Sequence, residues 1–364
     1  MRLGVEAALV DGRLAPGDVE VDGGVIVAVG LLGGSGRGIA APGFIDLQVN
    51  GFAGVDLMAA DRAGYVRVGE ALLETGTTAF QPTFVTAPEA ALLDALRAMP
   101  SGGIGPRVLG AHVEGPFLSP RRAGVHDPRW VLPPDLALLR RLLDAAPVSQ
   151  VTLAPELPGA FELIDELVAR GITVSAGHTD ATAAEAHLAF DRGVRTVTHL
   201  FNAMRQSTAR DPSIAWSALA RPDVVVQVIV DLHHVAPDTV IVAWQAASGR
   251  FALVTDAAPA AGTGDGVFVL GGREVHAADG VVRGPEGQLA GSALTMIEGV
   301  RNLQSLGIPL EDALRAASEV PARVAQRPDL GRLVPGAPAD VVVLDDRLDV
   351  VRVLVDGRER VARA

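Results

Sequence analysis

Three side chains able to hold a divalent cation each stand at the end of a short apolar run. Glu114 lies in Ala111-His112-Val113-Glu114-Gly115-Pro116, His178 in Ser175-Ala176-Gly177-His178-Thr179, and His199 in Thr198-His199-Leu200-Phe201-Asn202-Ala203-Met204. Two imidazoles and one carboxylate leave a coordination position open for water, which is the donor set of a catalytic ion. Zn²⁺ suits it first; Fe²⁺, Co²⁺ and Mn²⁺ also suit imidazole and carboxylate. Asp256 ends a fourth run, Phe251–Thr255, with nothing else in it to titrate. A carboxylate there is placed to act as general base on an attacking water. Similar runs end in Gln48 and Asn50, Gln81 and Thr83, Glu156, and His234. The bland alternatives are that strand ends are polar because they are exposed, that Asp256 caps a following turn, and that a lone histidine is a satisfied core residue. They account poorly for three strand-end histidines in a chain that has 8. His112, two residues before Glu114, points to the same face and could support it. His187, in a helical pattern, and His276, in a turn-rich segment, read as structural or solvent-facing.

The elements that must position these groups alternate strand and helix through the middle of the chain. Candidate strands are Gly43–Val49, Thr77–Thr83, Arg107–Val113, Ser149–Pro155, Ile172–Gly177, Thr196–Leu200, Val224–His233 and Phe251–Thr255. Helical patterns follow most of them, including Pro88–Ala98, Asp135–Ala145, Phe161–Ala169 and Ala181–Asp191. This is the pattern of an α/β (β/α)8 TIM-like barrel, in which the C-terminal ends of all strands converge on one mouth. An open doubly wound sheet is the alternative, but no Gly-rich dinucleotide fingerprint follows the first strand. A β-hairpin insertion is read near 267–284. The two chain ends are turn-rich and β-like, with turn pairs at Asp11-Gly12, Asp22-Gly23, Gly33-Gly34 and Asp356-Gly357. Neither end has enough strands to stand alone. We therefore expect residues 1–41 and 335–364 to share one small β-sandwich domain, and residues 42–334 to form the barrel.

Composition removes other chemistries. The 364 residues include no cysteine, so there are no thiolate metal sites, disulfides, Fe–S clusters or cysteine nucleophiles. There is also no lysine: all 31 basic residues are arginine, which excludes a Schiff-base lysine, a P-loop lysine and a carbamylated bridging lysine. A net charge of −12 argues against nucleic-acid and anionic-membrane partners, while leaving room for one local anion pocket. No apolar run approaches the ~20 residues of a membrane span, and the N-terminus lacks a signal-peptide core, so a cytoplasmic protein is expected.

These residues also carry a resemblance. Pro42-Gly43-Phe44-Ile45-Asp46, Glu114, His178, His199 and Val254-Thr255-Asp256 resemble the amidohydrolase superfamily. Within it, His112–Phe117, Gly177-His178-Thr179, Thr198–Met204 and Ala290-Gly291-Ser292 are similar to the N-acetylglucosamine-6-phosphate deacetylase family over effectively the whole chain. The resemblance implies a metal-bearing barrel that hydrolyses the acetamide of a phosphorylated amino sugar, giving acetate and the free amine. It implies Glu114, His178 and His199 as metal ligands, Asp256 as base and then acid, and His126 as the group polarising the acetyl carbonyl. Substrate contacts carried over are Gln48, Asn50, Val125, Asn202, Ala203, Arg210, His234, Leu289, Ala290, Gly291 and Ser292. Arg210 would grip the phosphate in the site of a neighbouring subunit, implying a homodimer. One departure within the superfamily matters: many members carry His-x-His and a bridging carboxylated lysine for two metals, whereas here the motif is Gln48-Val49-Asn50. Amides are poor zinc ligands, so one metal per chain is expected. Three readings remain beside it: the galacto epimer as substrate, another amidohydrolase acting on a different amide, and a non-catalytic sugar-phosphate binder.

Overall fold

The structure, a computed structural model, describes residues 1–32 and 36–363; the Gly33-Gly34 turn pair lies outside the described residues. Among the described residues, eight parallel strands make the barrel wall, in a sheet whose ninth member is the short Arg107–Val108: β1 (Phe44–Val49), β2 (Thr77–Val85), β3 (Ala111–Glu114), β4 (Val148–Leu153), β5 (Thr173–Ala176), β6 (Thr196–Val197), β7 (Val225–Ile229) and β8 (Phe251–Val254). Each pairs with the next. A parallel bridge from Val49 to Ala257, just beyond β8, brings the last strand back to the first. The fold is therefore the expected (β/α)8 barrel. Every residue of β2 and β8 is buried, as required of a parallel sheet wrapped by helices.

The helices of that wrapping start where short polar side chains can accept orphan backbone N–H groups. Asp135 accepts from Leu138 N at the head of Leu136–Ala145. Thr182 and Glu185 close a capping box on Ala183–Asp191. Three leucines of Leu136–Ala145, at 138, 139 and 142, turn into the shared core of barrel and helices.

Three local expectations need correction. The run 107–113 is not one strand. Arg107–Val108 pairs only with β2, and Gly110, at φ 99°, separates it from β3. β6 is only two residues long, so His199 stands in the loop beyond it. The insertion near 267–284 is not a hairpin but three antiparallel strands, Gly266–Leu270, Arg273–Ala278 and Val281–Arg283. A second turn at Asp279-Gly280, both in the left-handed region, adds the third strand.

The two chain ends share one six-stranded sheet, in the order Arg13–Pro16, Ala7–Val10, Ile39–Pro42, Val341–Leu344, Val350–Val355, Arg358–Ala362. Ile39–Pro42 pairs antiparallel with Val341–Leu344. With the ribbon Asp18–Asp22/Val25–Leu31 this sheet encloses a small core of its own, including Val19, Ile26, Ala40, Val341 and Leu354. Arg107 ties it to the barrel, bonding Asp340 through Nε at 2.6 Å. Among the described residues no helix is long and apolar enough to cross a membrane.

Candidate metal centre and catalytic cleft

Glu114 is the last residue of β3, and Gly115 follows at φ 88°. A β-carbon at Gly115 would lie 2.2 Å from Thr86 Oγ1, so only glycine lets the chain turn away there. His178, His199 and Asp256 follow β5, β6 and β8, and all three adopt positive φ, at 46°, 31° and 51°. This strained backbone swings each side chain from the wall into the mouth. His199 Nε2 lies 3.0 Å from Glu114 Oε1 and 3.1 Å from His178 Nε2. His178 Nε2 lies 3.2 Å from Glu114 Oε1. Glu114, His178 and His199 form a buried group able to hold a metal ion.

Their surroundings support that use. His178 Nδ1 donates to the Arg122 carbonyl at 2.8 Å, which leaves the Nε2 lone pair facing Glu114 and His199. Gln48 Nε2 donates to both Glu114 oxygens at 3.2 Å. Burial pushes the Glu114 carboxyl up, but its His178 and His199 neighbours outweigh that and hold Glu114 well below the usual range, so it stands as a carboxylate. Two imidazole nitrogens 3.1 Å apart against one carboxylate suit a shared cation better than a hydrogen-bond chain, because both lone pairs face one point. The donor set present therefore fits a divalent metal.

Asp256 is buried, and Asn50 Nδ2 donates to its Oδ1 at 2.7 Å. Burial, then the Glu114 carboxylate, push Asp256 up to about 6, the range of an effective general base. His126 Nδ1 accepts from Thr86 N at 3.2 Å, so its proton sits on Nε2, which lies 3.9 Å from Glu114 Oε2. Burial, then His178, push His126 down to about 3, leaving a neutral ring with one N–H aimed at the centre. His234 Nδ1 is bonded to Asp231 Oδ2 at 2.7 Å.

A cleft of about 350 Å³ opens over these groups. Glu114, His126, His178, His199 and Asp256 face it, with Asn50, Val125, Asn202, Ala203, His234, Leu289 and Gly291. Other assigned residues lie elsewhere. Gln48 is fully buried behind Glu114. Ala290 is buried, and Ser292 Oγ donates to the Thr255 carbonyl at 2.5 Å, bracing the turn that carries Asp256. Arg210 is exposed and does not line this cleft. Gln81 is not at the mouth: β2 runs on to Val85, and Gln81 reaches down to Ser149 at 2.9 Å. Glu156 accepts from Thr179 Oγ1 at 2.5 Å and Asp180 N at 2.7 Å and stays out of the cleft lining. His112 makes no bond to the metal-ligand group; it packs deeper, against Thr152, Gln150 and the Leu47 carbonyl. His233 is exposed, as its neighbour His234 turns inward.

Sequence reasoning missed three supporting residues. Asp231 fixes the His234 ring, and the Asp-x-x-His spacing was the available signal. Arg273, in the insertion, donates to the Val125 carbonyl at 2.9 Å and to Glu286 at 2.6 Å, linking two walls of the cleft. Arg122 carries the carbonyl that orients His178. No local pattern marks the last two, since both act across folds of the chain.

Comparisons with known proteins agree with this geometry. The amidohydrolase family profile matches residues 39–360. The N-acetylglucosamine-6-phosphate deacetylase of Vibrio furnissii is 36% identical over 328 residues, covering 87% of this chain and 82% of that protein. The N-acetylgalactosamine-6-phosphate deacetylase of Escherichia coli O157:H7 is 36% identical over 330 residues, covering 88% and 87%. Among solved structures, a variant of the N-acetyl-D-glucosamine-6-phosphate deacetylase of Mycobacterium smegmatis, in complex with N-acetyl-D-glucosamine-6-phosphate, superimposes with a TM-score of 0.94 at 34% identity, covering 98% of both chains. The barrel, the strand-end donor set and these matches together establish that the chain belongs to the N-acetylglucosamine-6-phosphate deacetylase family of amidohydrolases.

Proposed function

We propose that the protein is a hydrolase that deacetylates N-acetylglucosamine 6-phosphate to glucosamine 6-phosphate and acetate. The observation that carries this reading is the placing of an ionisable base, Asp256, and a neutral N–H donor, His126, on one cleft with Glu114, His178 and His199. Those three residues would hold one divalent ion, with Zn²⁺ the best suited, and when bound it supplies Lewis-acid polarisation and a more acidic attacking water. His126 Nε2–H donates to the acetyl oxygen and stabilises the charge that develops there. Asp256, held by Asn50, takes a proton from the water as it adds to the acetyl carbon. It then passes that proton to the nitrogen as the C–N bond breaks. Gln48 steadies Glu114, and Asp231 fixes the His234 ring at the sugar.

Asn202, Ala203 and His234 are the proposed sugar-phosphate wall, with Val125, Leu289 and Gly291 completing the lining. Arg210 is proposed to reach the cleft of a second copy, making the active form a homodimer. In support, Arg210 lies just before helix Ile214–Ala220, and that helix and its neighbours leave Leu188, Trp216 and Val242 at 57%, 50% and 47% exposure. Large apolar side chains gathered on adjacent helices suit a subunit interface.

The galacto epimer is the second reading, favoured by the equal identity of the E. coli relative of that name. Acetate release by the metal-loaded protein from a small panel of acetylated hexosamines and their 6-phosphates tests both. Acetate from the gluco phosphate in preference to the galacto phosphate is expected. Preference for the epimer would move the assignment, and no acetate from any phosphorylated sugar would overturn it.

A further inference from the structure

The proposed substrate carries a dianion at its distal end, yet the floor of the cleft holds two carboxylates, Glu114 and Asp256, and the chain is at −12. Long-range attraction will not draw that anion in, so local donors must. Among the described residues lining the cleft, the permanently cationic ones are Arg121 and Arg122. They are held very differently. Arg122 Nε and its outer nitrogen both bond Asp180 at 2.8 Å, its side chain is 28% exposed, and its carbonyl orients His178. It is committed to the scaffold. Arg121 is 81% exposed and makes one bond to Asp180, at 3.2 Å.

Asp180 does not depend on Arg121. Arg122 already satisfies it, and Arg205 approaches it at 3.9 Å. An exposed pair of this kind is worth little in water. A planar guanidinium facing a phosphate gains two parallel charge-assisted bonds. Arg121 can therefore leave Asp180 for a phosphate at little cost. Its position is also right. It lies in the short turn Pro120–Arg122, on the loop that ends in His126. Along that loop a β-carbon at Gly124 would stand 3.1 Å from His178 Cε1 and 3.8 Å from Ala203 Cβ. The loop thus lies against the same wall assigned to the sugar phosphate.

We infer that Arg121 is a specificity-determining residue that pairs with the substrate phosphate from the chain that also holds the acetyl end, opposite the Arg210 proposed to enter from the second copy. This rests on the phosphorylated amino-sugar reading above. Arg121→Ala should raise KM for N-acetylglucosamine 6-phosphate about 10- to 100-fold, the scale of one lost charged hydrogen-bond pair. Turnover at saturation, metal content and melting temperature should stay near wild type, because Asp180 keeps Arg122. KM for unphosphorylated N-acetylglucosamine should not move, and Arg121→Lys should recover part of the loss. An equal rise in KM for both sugars, or an unchanged KM for the phosphorylated one, overturns the inference while leaving the substrate reading intact. Wild-type protein that shows no preference for the phosphorylated sugar, or no activity on it, overturns both.

Discussion

The barrel holds two histidine-centred polar clusters, built on the same strand and on the same face of it. His112 and Glu114 are two residues apart on β3, yet their surroundings differ in kind. Around His112, Nε2 meets Thr152 Oγ1 at 2.7 Å and Gln150 Nε2 at 3.2 Å, and Nδ1 meets the Leu47 carbonyl at 3.1 Å. Thr152 on β4, Thr198 just beyond β6 and Ser175 on β5 continue the chain of bonds, and Gln227 closes it onto Gln150 and Thr196. Burial pushes His112 down to about 4, so it is a neutral packing group. Around Glu114 the imidazole lone pairs converge on one another, His199 Nδ1 and the side-chain oxygens of Gln48 and Asn50 have no partner, and a cleft opens above. In the lower layer one such atom, Gln227 Oε1, lacks a partner; a largely satisfied polar layer specifies a fold, whereas one whose unpartnered donors and acceptors gather beneath a cleft is equipped to bind and react.

Substitutions should separate the two layers. The largest effect belongs to the upper one. Glu114→Gln, His178→Ala or His199→Ala should each empty the metal site and bring acetate release to background, while chelation of the wild-type protein should do the same reversibly. Retention of a full metal complement by any of the three would remove that residue from the ligand set. Next is Asp256→Asn, which should keep the metal but lower turnover by roughly 10²- to 10⁴-fold, the usual scale for a general acid–base group. Wild-type turnover in that variant would take the proton transfers away from Asp256. Arg210→Ala should act more mildly, raising KM for the phosphorylated sugar about 10-fold, as loss of a charged pair does. Metal content should not change, and the unphosphorylated sugar should be unaffected. An equal loss on both sugars would mean that Arg210 holds the loop or the dimer together. His112→Leu should have the smallest effect on chemistry. It strands Thr152, Gln150 and the Leu47 carbonyl and should cost about 1–3 kcal/mol of stability in a melting experiment. Metal content should stay normal, and loss of metal would show that the lower layer supports Glu114 after all.

Much of the upper layer was legible because its signal is local: an apolar run, then a ligand-type side chain, repeated along the chain. The barrel was legible for the same reason, since eight runs alternate with helical patterns, and its terminal sheet followed from turn-rich ends too short to stand alone. The failures share a cause, which is that alternation cannot say where a strand stops. Gln81 was assigned to the mouth because the run was closed at Thr83, but β2 continues to Val85 and the register carries Gln81 downward. The third strand of the insertion was missed because Asp279-Gly280 forms a turn that a hairpin reading does not need. Positive φ at His178, His199 and Asp256 leaves no mark in residue type, yet it aims all three side chains. Arg122, Arg273 and Gln48 act on partners far along the chain, where only the folded geometry reveals them.

The claim on which the rest depends is that one divalent ion is held by Glu114, His178 and His199, with the Gln48 and Asn50 amides as supports rather than ligands. Elemental analysis of purified wild-type protein, dialysed free of loose ions and compared with Glu114→Gln, tests it most directly. About one tightly bound ion per wild-type chain and close to none in the variant is the predicted result, in keeping with a single three-residue donor set. Two tight ions per wild-type chain, or an ion that survives Glu114→Gln, would contradict it.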